Sequence, residues 1–280
     1  MGELAGKTFV VTGANTGLGR ATVEALAARG AGRIVIASRS REKTQPVIDA
    51  LAAKGVEVDF VALDLGDLAS ASRAADELLE RDEPIDVLVD NAGIAGLRGL
   101  TKDGFELTFG TNHLGHFVFT EKLLPLIERA PRGRIVIVSS RAHFRAKGID
   151  WEALRRPTAH TTALPEYAVS KLCNVLYAKE LARRLAGTKV TTYSLHPGGV
   201  ASDIWQRRLG AFAVLLRPFL ITNDEGARTQ IRCATDPKLS GESGLYYDEE
   251  RPKEPLPLAH AVALQDELVE RSRNWAEAHL

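Results

Sequence analysis

Along the first two-thirds of the chain, short apolar runs alternate with longer stretches in which apolar positions recur every three to four residues. The runs Thr8 to Thr12, Arg33 to Ala37, Val56 to Leu63, Ile85 to Val89, Arg134 to Val138 and Lys189 to Leu195 are rich in Val and Ile and mostly continuous rather than alternating. Strands of that kind are covered on both faces, as in a parallel sheet, and the roughly 15 to 25 residues between them suit crossover helices. Helix signals agree: Gly17 to Arg29 closes on Gly30, Asp67 to Glu80 opens on a capping-type aspartate, and Pro165 to Ala186 ends at Gly187. The pattern predicts an α/β fold, a three-layer, doubly wound parallel sheet. After Leu195 it loosens into Pro/Gly punctuation, an apolar run over 209–221, a helix over 224–235 and a final helix after Pro257. This part reads as an appended lobe of one domain spanning 1–280, with residues 197–225 placed over a substrate.

Charge removes several classes of partner. Lys plus Arg (36) balance Asp plus Glu (36), so no global field draws the chain to nucleic acid or an anionic membrane, and a small-molecule partner is expected. Only Cys173 and Cys233 occur, and no Asn-x-Ser/Thr acceptor is present, which fits a reducing compartment and predicts a cytoplasmic protein. Met1 to Lys7 carries no signal pattern, and the apolar stretch Leu209 to Leu216 falls far short of the ~20 residues of a membrane span. Neither a targeting segment nor a span is expected.

Candidate chemistry begins at Thr12-Gly13-Ala14-Asn15-Thr16-Gly17-Leu18-Gly19, which follows the first strand and opens a helix. Without Cβ atoms at Gly13 and Gly17 the turn can be tight, a pyrophosphate can approach the N–H groups at the helix start, and Gly19 allows close packing on the strand. An ordinary tight strand-to-helix turn accounts for such a cluster almost as well. The second constellation is Tyr167-Ala168-Val169-Ser170-Lys171, whose i, i+4 spacing puts phenol and ammonium on one helix face. A phenol of pKa ~10 needs about 4 kcal/mol of phenolate stabilisation to titrate near neutrality. A cation at ~5 Å in an effective dielectric of ~20 supplies roughly 3 kcal/mol, so Lys171 is expected to provide most of it. In isolation this pair also fits an ordinary amphipathic helix.

Together these motifs resemble the short-chain dehydrogenase/reductase family, a Rossmann-fold family, from Lys7 to about Ser202. Asn91-Ala92-Gly93 after the fourth strand and Ser139-Ser140 after the fifth fall in the family's order. So do Asp64-Leu65 after the third strand, Asn112 in the next helix, and Pro197-Gly198 after the sixth strand. Thr111 to Phe117, Ser170 to Leu176 and Val190 to Gly198 look like the retinol-dehydrogenase-like branch, many eukaryotic members of which carry an amino-terminal membrane anchor.

The resemblance implies roles. Tyr167 would be the acid/base, Lys171 would lower its pKa and hold the nicotinamide ribose, Ser140 would hydrogen-bond the reacting oxygen, and Asn112 would hold a relay water. Gly13, Asn15, Thr16, Gly17, Leu18, Gly19, Asp64, Leu65, Asn91, Ala92, Gly93, Pro197, Gly198 and Val200 would line the cofactor. Dimers or tetramers through the long helices are implied as well. Two departures stand out: Asp90 occupies a place where the family more often has asparagine, and the 27 residues from Ser140 to Tyr167 are about twice the usual interval. The extra segment, Arg141 to Glu166, must fold away or line the cleft.

The place of the acidic residue of an NAD site, about 20 residues past the glycine turn, falls on Ser38, followed by Arg39. A hydroxyl and a planar charged fork suit a 2′-phosphate that a carboxylate would repel, so NADP(H) is the expected cofactor, with Arg20 and Lys43 as secondary contacts. Ile204, Trp205, Leu209, Phe212, Val214, Leu215, Leu216 and Phe219 predict a lipophilic carbonyl or alcohol substrate. His113 and His116 lack a third ligand cluster, so no metal is expected, and Cys173 sits in apolar helical company as an inert thiol. A catalytically silent NADP(H)-binding sensor or scaffold is the competing reading of the same fold.

Overall fold

A computed structural model describes residues 2–198 and 222–280. Strands β1 (Thr8–Thr12), β2 (Arg33–Ser38), β3 (Glu57–Ala62), β4 (Val87–Asp90), β5 (Arg134–Val138), β6 (Thr191–His196) and β7 (Leu245–Asp248) run parallel, and a two-residue β8 (Arg251–Pro252) returns antiparallel to β7. Their order is β3-β2-β1-β4-β5-β6-β7-β8, so the chain reverses direction across the sheet between β1 and β4. In such sheets ligands bind at the carboxyl ends of the strands, at that reversal.

Helices cover both faces. Phe9 and Val11 of β1, with Val136 and Val138 of β5, point toward α1 (Gly17–Ala28), α2 (Arg41–Ala52) and α7 (Asn223–Thr235). Val10, Ile135 and Ile137 point the other way, toward α3 (Leu68–Glu80), α5 (Gly115–Glu128), α6 (Leu164–Arg184) and α8 (Val262–Ala276). This alternation in strands that are apolar on both sides makes two cores from one sheet. Asp67 caps α3, accepting from Ser70 N at 3.3 Å.

The expected strands are present with ends shifted by up to two residues. Residues after Leu195 are more than an appended lobe: Leu245–Asp248 joins the sheet beside β6, and α7 packs on α1. Asn112, expected in a regular helix, lies in a π turn (Gly110–Leu114) between the single turn α4 (Leu107–Phe109) and α5. The long segment after Ser140 folds back on the body: Glu106 N donates to Leu154 O at 2.8 Å, and Glu166 Oε1 accepts from the N–H groups of Ala159 and His160 at 3.0 and 2.9 Å. Among the described residues no helix is long and apolar enough to cross a membrane.

Candidate active site

The glycine turn sits where β1, β4 and α1 converge. Gly13 (φ +67°) would carry a Cβ 2.9 Å from that of Ala92, and a Cβ on Gly19 would meet Asn91 Nδ2 at 2.5 Å. Close backbone approach, beyond turn geometry alone, therefore requires both glycines. Thr16 begins α1 without a side-chain cap, and no acidic residue lies in the first turn, so the helix presents unneutralised N–H groups beside Asn15, Gly17 and Leu18. Asn91 Nδ2 donates to Thr12 O at 2.8 Å, fixing Asn91-Ala92-Gly93 against the turn. Asp64 is exposed at the end of β3, whereas Leu65 is buried beneath Gly115, where a Cβ would lie 2.3 Å from Leu65 O. This is a cradle that a dinucleotide's backbone fits.

Ser38 and Arg39 separate. Ser38 is buried, and its Oγ lies 2.7 Å from Thr44 Oγ1. Thr44 spends its own proton on Ser40 O (2.7 Å), so Ser38 donates inward to Thr44. Arg39 is exposed, as is Lys43, while Arg20 is paired with Glu24 at 2.8 Å.

At the other end stand Asn112, Ser140, Tyr167 and Lys171. Ser139 Oγ donates to Lys171 O at 2.7 Å and is buried, which leaves half-buried Ser140 as the serine that meets the Tyr167 phenol. Lys171 Nζ donates to Val138 O at 2.8 Å and lies 5.8 Å from the Tyr167 ring centre. A Cβ on Gly93 would come within 3.5 Å of Lys171 Nζ and 3.2 Å of Asn112 Oδ1, so this glycine keeps the floor between them open. The Asn112 amide is fully used: Oδ1 accepts from Ile94 N (2.8 Å), and Nδ2 donates to Ile94 O (2.9 Å) and Ser170 Oγ (3.1 Å). Pro197 and Gly198 (φ +91°) follow β6 at the same edge. Val200 and the apolar residues Ile204 to Phe219 lie outside the described residues.

The electrostatic expectation for Tyr167 needs correction. Burial pushes its phenol above the usual value, with hydrogen bonding from Ser140 opposing, and Lys171 is not among the groups that lower it. Lys171 is itself desolvated, which brings it down to about 8, and it donates to the Val138 carbonyl. Asp90, at the end of β4, is 1% exposed; Oδ2 accepts from Thr120 Oγ1 at 2.9 Å, and burial raises the carboxyl to about 7.

Three residues given no part in catalysis or binding by the sequence, Thr12, His116 and His143, organise this site. Thr12 Oγ1 accepts from the N–H groups of Asn91 and Ala92, both at 2.9 Å, so its proton points to His116 Nε2 at 2.9 Å. His116 Nδ1–H then donates to the Asn112 carbonyl at 3.1 Å. Burial holds this imidazole neutral, its pKa lowered to about 3. His143 makes the corresponding contact to the Ser140 carbonyl at 2.7 Å. For the two histidines the sequence signal was their spacing, four residues past Asn112 and three past Ser140. His113 packs instead against Tyr177 and approaches Ser272 Oγ at 3.2 Å, and the Cys173 thiol is fully buried.

Residues 7–154 match the family model for short chain dehydrogenases. The chain belongs to the short-chain dehydrogenase/reductase family. It is 39% identical over 284 residues to human dehydrogenase/reductase SDR family member 13, covering 99% of this chain and 74% of that protein. It is 36% identical over 282 residues to human retinol dehydrogenase 14, covering 92% and 82%. A short-chain dehydrogenase structure from Pseudomonas syringae shares the fold at a TM-score of 0.73 and 24% identity, covering 88% and 95%. Short-chain dehydrogenases/reductases are oxidoreductases that bind nicotinamide cofactors and act on small molecules.

Proposed function

We propose that this chain is an NADP(H)-dependent oxidoreductase that interconverts a lipophilic aldehyde or ketone and its alcohol, with Tyr167 as acid/base. The observation that carries the reading is the meeting of Ser140 and Tyr167 beside Lys171, Asn112 and Gly93, at the end of the sheet where the glycine turn opens. The bound nicotinamide supplies the hydride in reduction and takes it in oxidation. In the reductive direction Tyr167 gives its proton to the carbonyl oxygen while Ser140 donates a hydrogen bond to the same oxygen, so two electrons reach carbon and one proton reaches oxygen. A buried phenol with a raised pKa is protonated at neutral pH and able to give that proton. Lys171, which donates to Val138 O, would bind the ribose beside the phenolate left on Tyr167, and that phenolate takes its proton back from solvent.

Preference for NADP(H) rests on Arg39, exposed and without an ion-pair partner among the described residues, and on the absence of a carboxylate at position 38. With the Ser38 hydroxyl turned toward Thr44, Arg39 carries the 2′-phosphate contact. One charge-assisted contact is worth roughly 1.5–3 kcal/mol, a preference of about ten- to a hundredfold. Retinol dehydrogenase 14, the relative named above, and the exposed Phe144 four residues past Ser140 favour an apolar substrate. The test is loss of NADPH absorbance with a panel of aldehydes and ketones. Medium-chain or aromatic carbonyls should lead in kcat/KM, and Tyr167→Phe should cut turnover more than a hundredfold with NADPH affinity retained. A Tyr167→Phe protein within tenfold of the parent would refute the assignment.

A further inference from the structure

Ser140 is the last residue before a short 3-10 turn, Arg141–Arg145, and its Oγ caps that turn by accepting from Ala142 N at 3.1 Å. Its carbonyl oxygen is taken twice by one residue. His143 N donates to it at 3.0 Å, and His143 Nδ1 stands 2.7 Å away. The other ring nitrogen, Nε2, receives the backbone N–H of Leu256 at 3.2 Å. A backbone N–H can only donate and a carbonyl can only accept, so the proton must be on Nδ1 and Nε2 must be bare. The ring is fully buried, with its centre 4.1 Å from that of Phe144 and 4.7 Å from that of Tyr246 in β7. Burial also holds its pKa below the usual histidine value.

From this geometry we infer that His143, locked as the neutral Nδ1–H tautomer by Leu256, is the positioning residue that aims the Ser140 hydroxyl at the reacting oxygen and couples it to the segment after β8. The inference rests on the functional reading above. A residue whose backbone N–H and ring fill both acceptor positions of the Ser140 carbonyl fixes the orientation of that peptide, and with it the direction of the Ser140 Cα–Cβ bond. The ring's hydrogen bonds go to Ser140 and Leu256 and to no residue of the glycine turn, so cofactor affinity is expected to be independent of it.

Two substitutions separate the two ends of the ring. In His143→Asn the amide nitrogen replaces Nδ1 and keeps the donor to Ser140, while the contact to Leu256 is lost. In His143→Gln the amide oxygen reaches the place of Nε2 and keeps Leu256, while the donor to Ser140 is lost. His143→Gln should therefore lower kcat about 10- to 100-fold with the NADPH dissociation constant within twofold of the parent, and His143→Asn should recover most of that loss even where its melting temperature is the lower of the two. A purely structural role reverses the order, since activity would then follow melting temperature; that result, or equal losses in both variants of an active parent, overturns the inference. Nitrogen-15 NMR of histidine-labelled full-length protein is the readout independent of turnover. Nδ1 protonation with a solvent-protected ring proton supports the assignment, and an Nε2–H tautomer overturns it. A parent that turns over no carbonyl in the panel overturns the functional reading instead.

Discussion

At Asp90 the chain buries a carboxyl whose Oδ1 has no hydrogen-bond partner among the described residues. The unfolded chain releases that proton near pH 4, whereas the folded protein holds it to about 7. Across that window the unfolded state alone gains from ionising, so stability falls as pH rises from about 4 to about 7 and stays lowered above it. Asp90→Asn removes the ionisation and keeps an oxygen for Thr120. It should raise stability by roughly 1–3 kcal/mol at pH 8 and change little at pH 4, read from urea midpoints at the two values. An equal gain at both would trace the effect to packing. Residues of this kind show where sequence reasoning stops. The order Ser139-Ser140, Tyr167, Lys171 is legible as a motif, but that Ser139 spends its proton on Lys171 O and that Ser38 turns toward Thr44 depends on neighbours brought in by the fold. The expectation for Tyr167 likewise weighed Lys171 and left out the burial of the phenol, which only the fold brings about.

Among elements, β1, β2, β4 and β5 could be read from the chain because strands covered on both faces are mostly apolar, and β6 because Thr191 to Leu195 is rich in β-branched and aromatic residues. Strand β7 escaped because Leu245–Asp248 is four residues long and half of it is Tyr, one residue from each of the two cores. Helix α2 carries a weak signal of its own, since it opens on Arg41, Glu42 and Lys43 and contains Pro46, and its buried face is only Thr44, Val47, Ile48 and Leu51. The π turn around Asn112 has no signature in local periodicity. The junction of β1, α1 and β4, by contrast, was written in glycines, and it can be tested there. A Cβ on Gly19 would meet Asn91 Nδ2 at 2.5 Å, Gly13 O at 2.6 Å and Ala14 Cα at 2.8 Å, two of them backbone atoms that cannot swing away. Gly19→Ala should cost about 1–3 kcal/mol in urea unfolding and weaken NADPH binding more than tenfold as Asn91 is displaced. Gly17 also has positive φ (+56°), yet nothing lies within 4 Å of its Cβ position. Gly17→Asn should cost about 1 kcal/mol or less, because asparagine tolerates that conformation. Equal costs at the two sites would remove close packing as the explanation of the motif.

On the scale of the whole molecule, the candidate site residues within the described segments gather at the carboxyl edge of the sheet, contributed by the ends of β1, β2, β3, β4, β5 and β6, by the start of α1, by the π turn before α5 and by α6. A ligand bridging that edge holds both sides of the reversal between β1 and β4, so its binding energy is added to the stability of the folded chain as a unit. At a concentration one hundred times its dissociation constant, a ligand adds about 2.7 kcal/mol, which for a domain near this size raises the melting temperature by roughly 5–10 °C. If Arg39 gives NADPH a ten- to hundredfold advantage, NADH at the same concentration stands at only about one to ten times its own constant. It then adds roughly 0.4–1.4 kcal/mol, or about 1–5 °C. Thermal melts with the two cofactors at equal concentration and fixed ionic strength should therefore differ by several degrees, with NADPH the higher. Arg39→Ala should bring the two curves together by lowering the NADPH shift, leaving the NADH shift in place. Because this measurement needs no substrate, it judges the reading of the end of β2 separately from the chemistry at Tyr167. Equal shifts in the unmodified protein would mean that Arg39 contributes nothing to the 2′-phosphate.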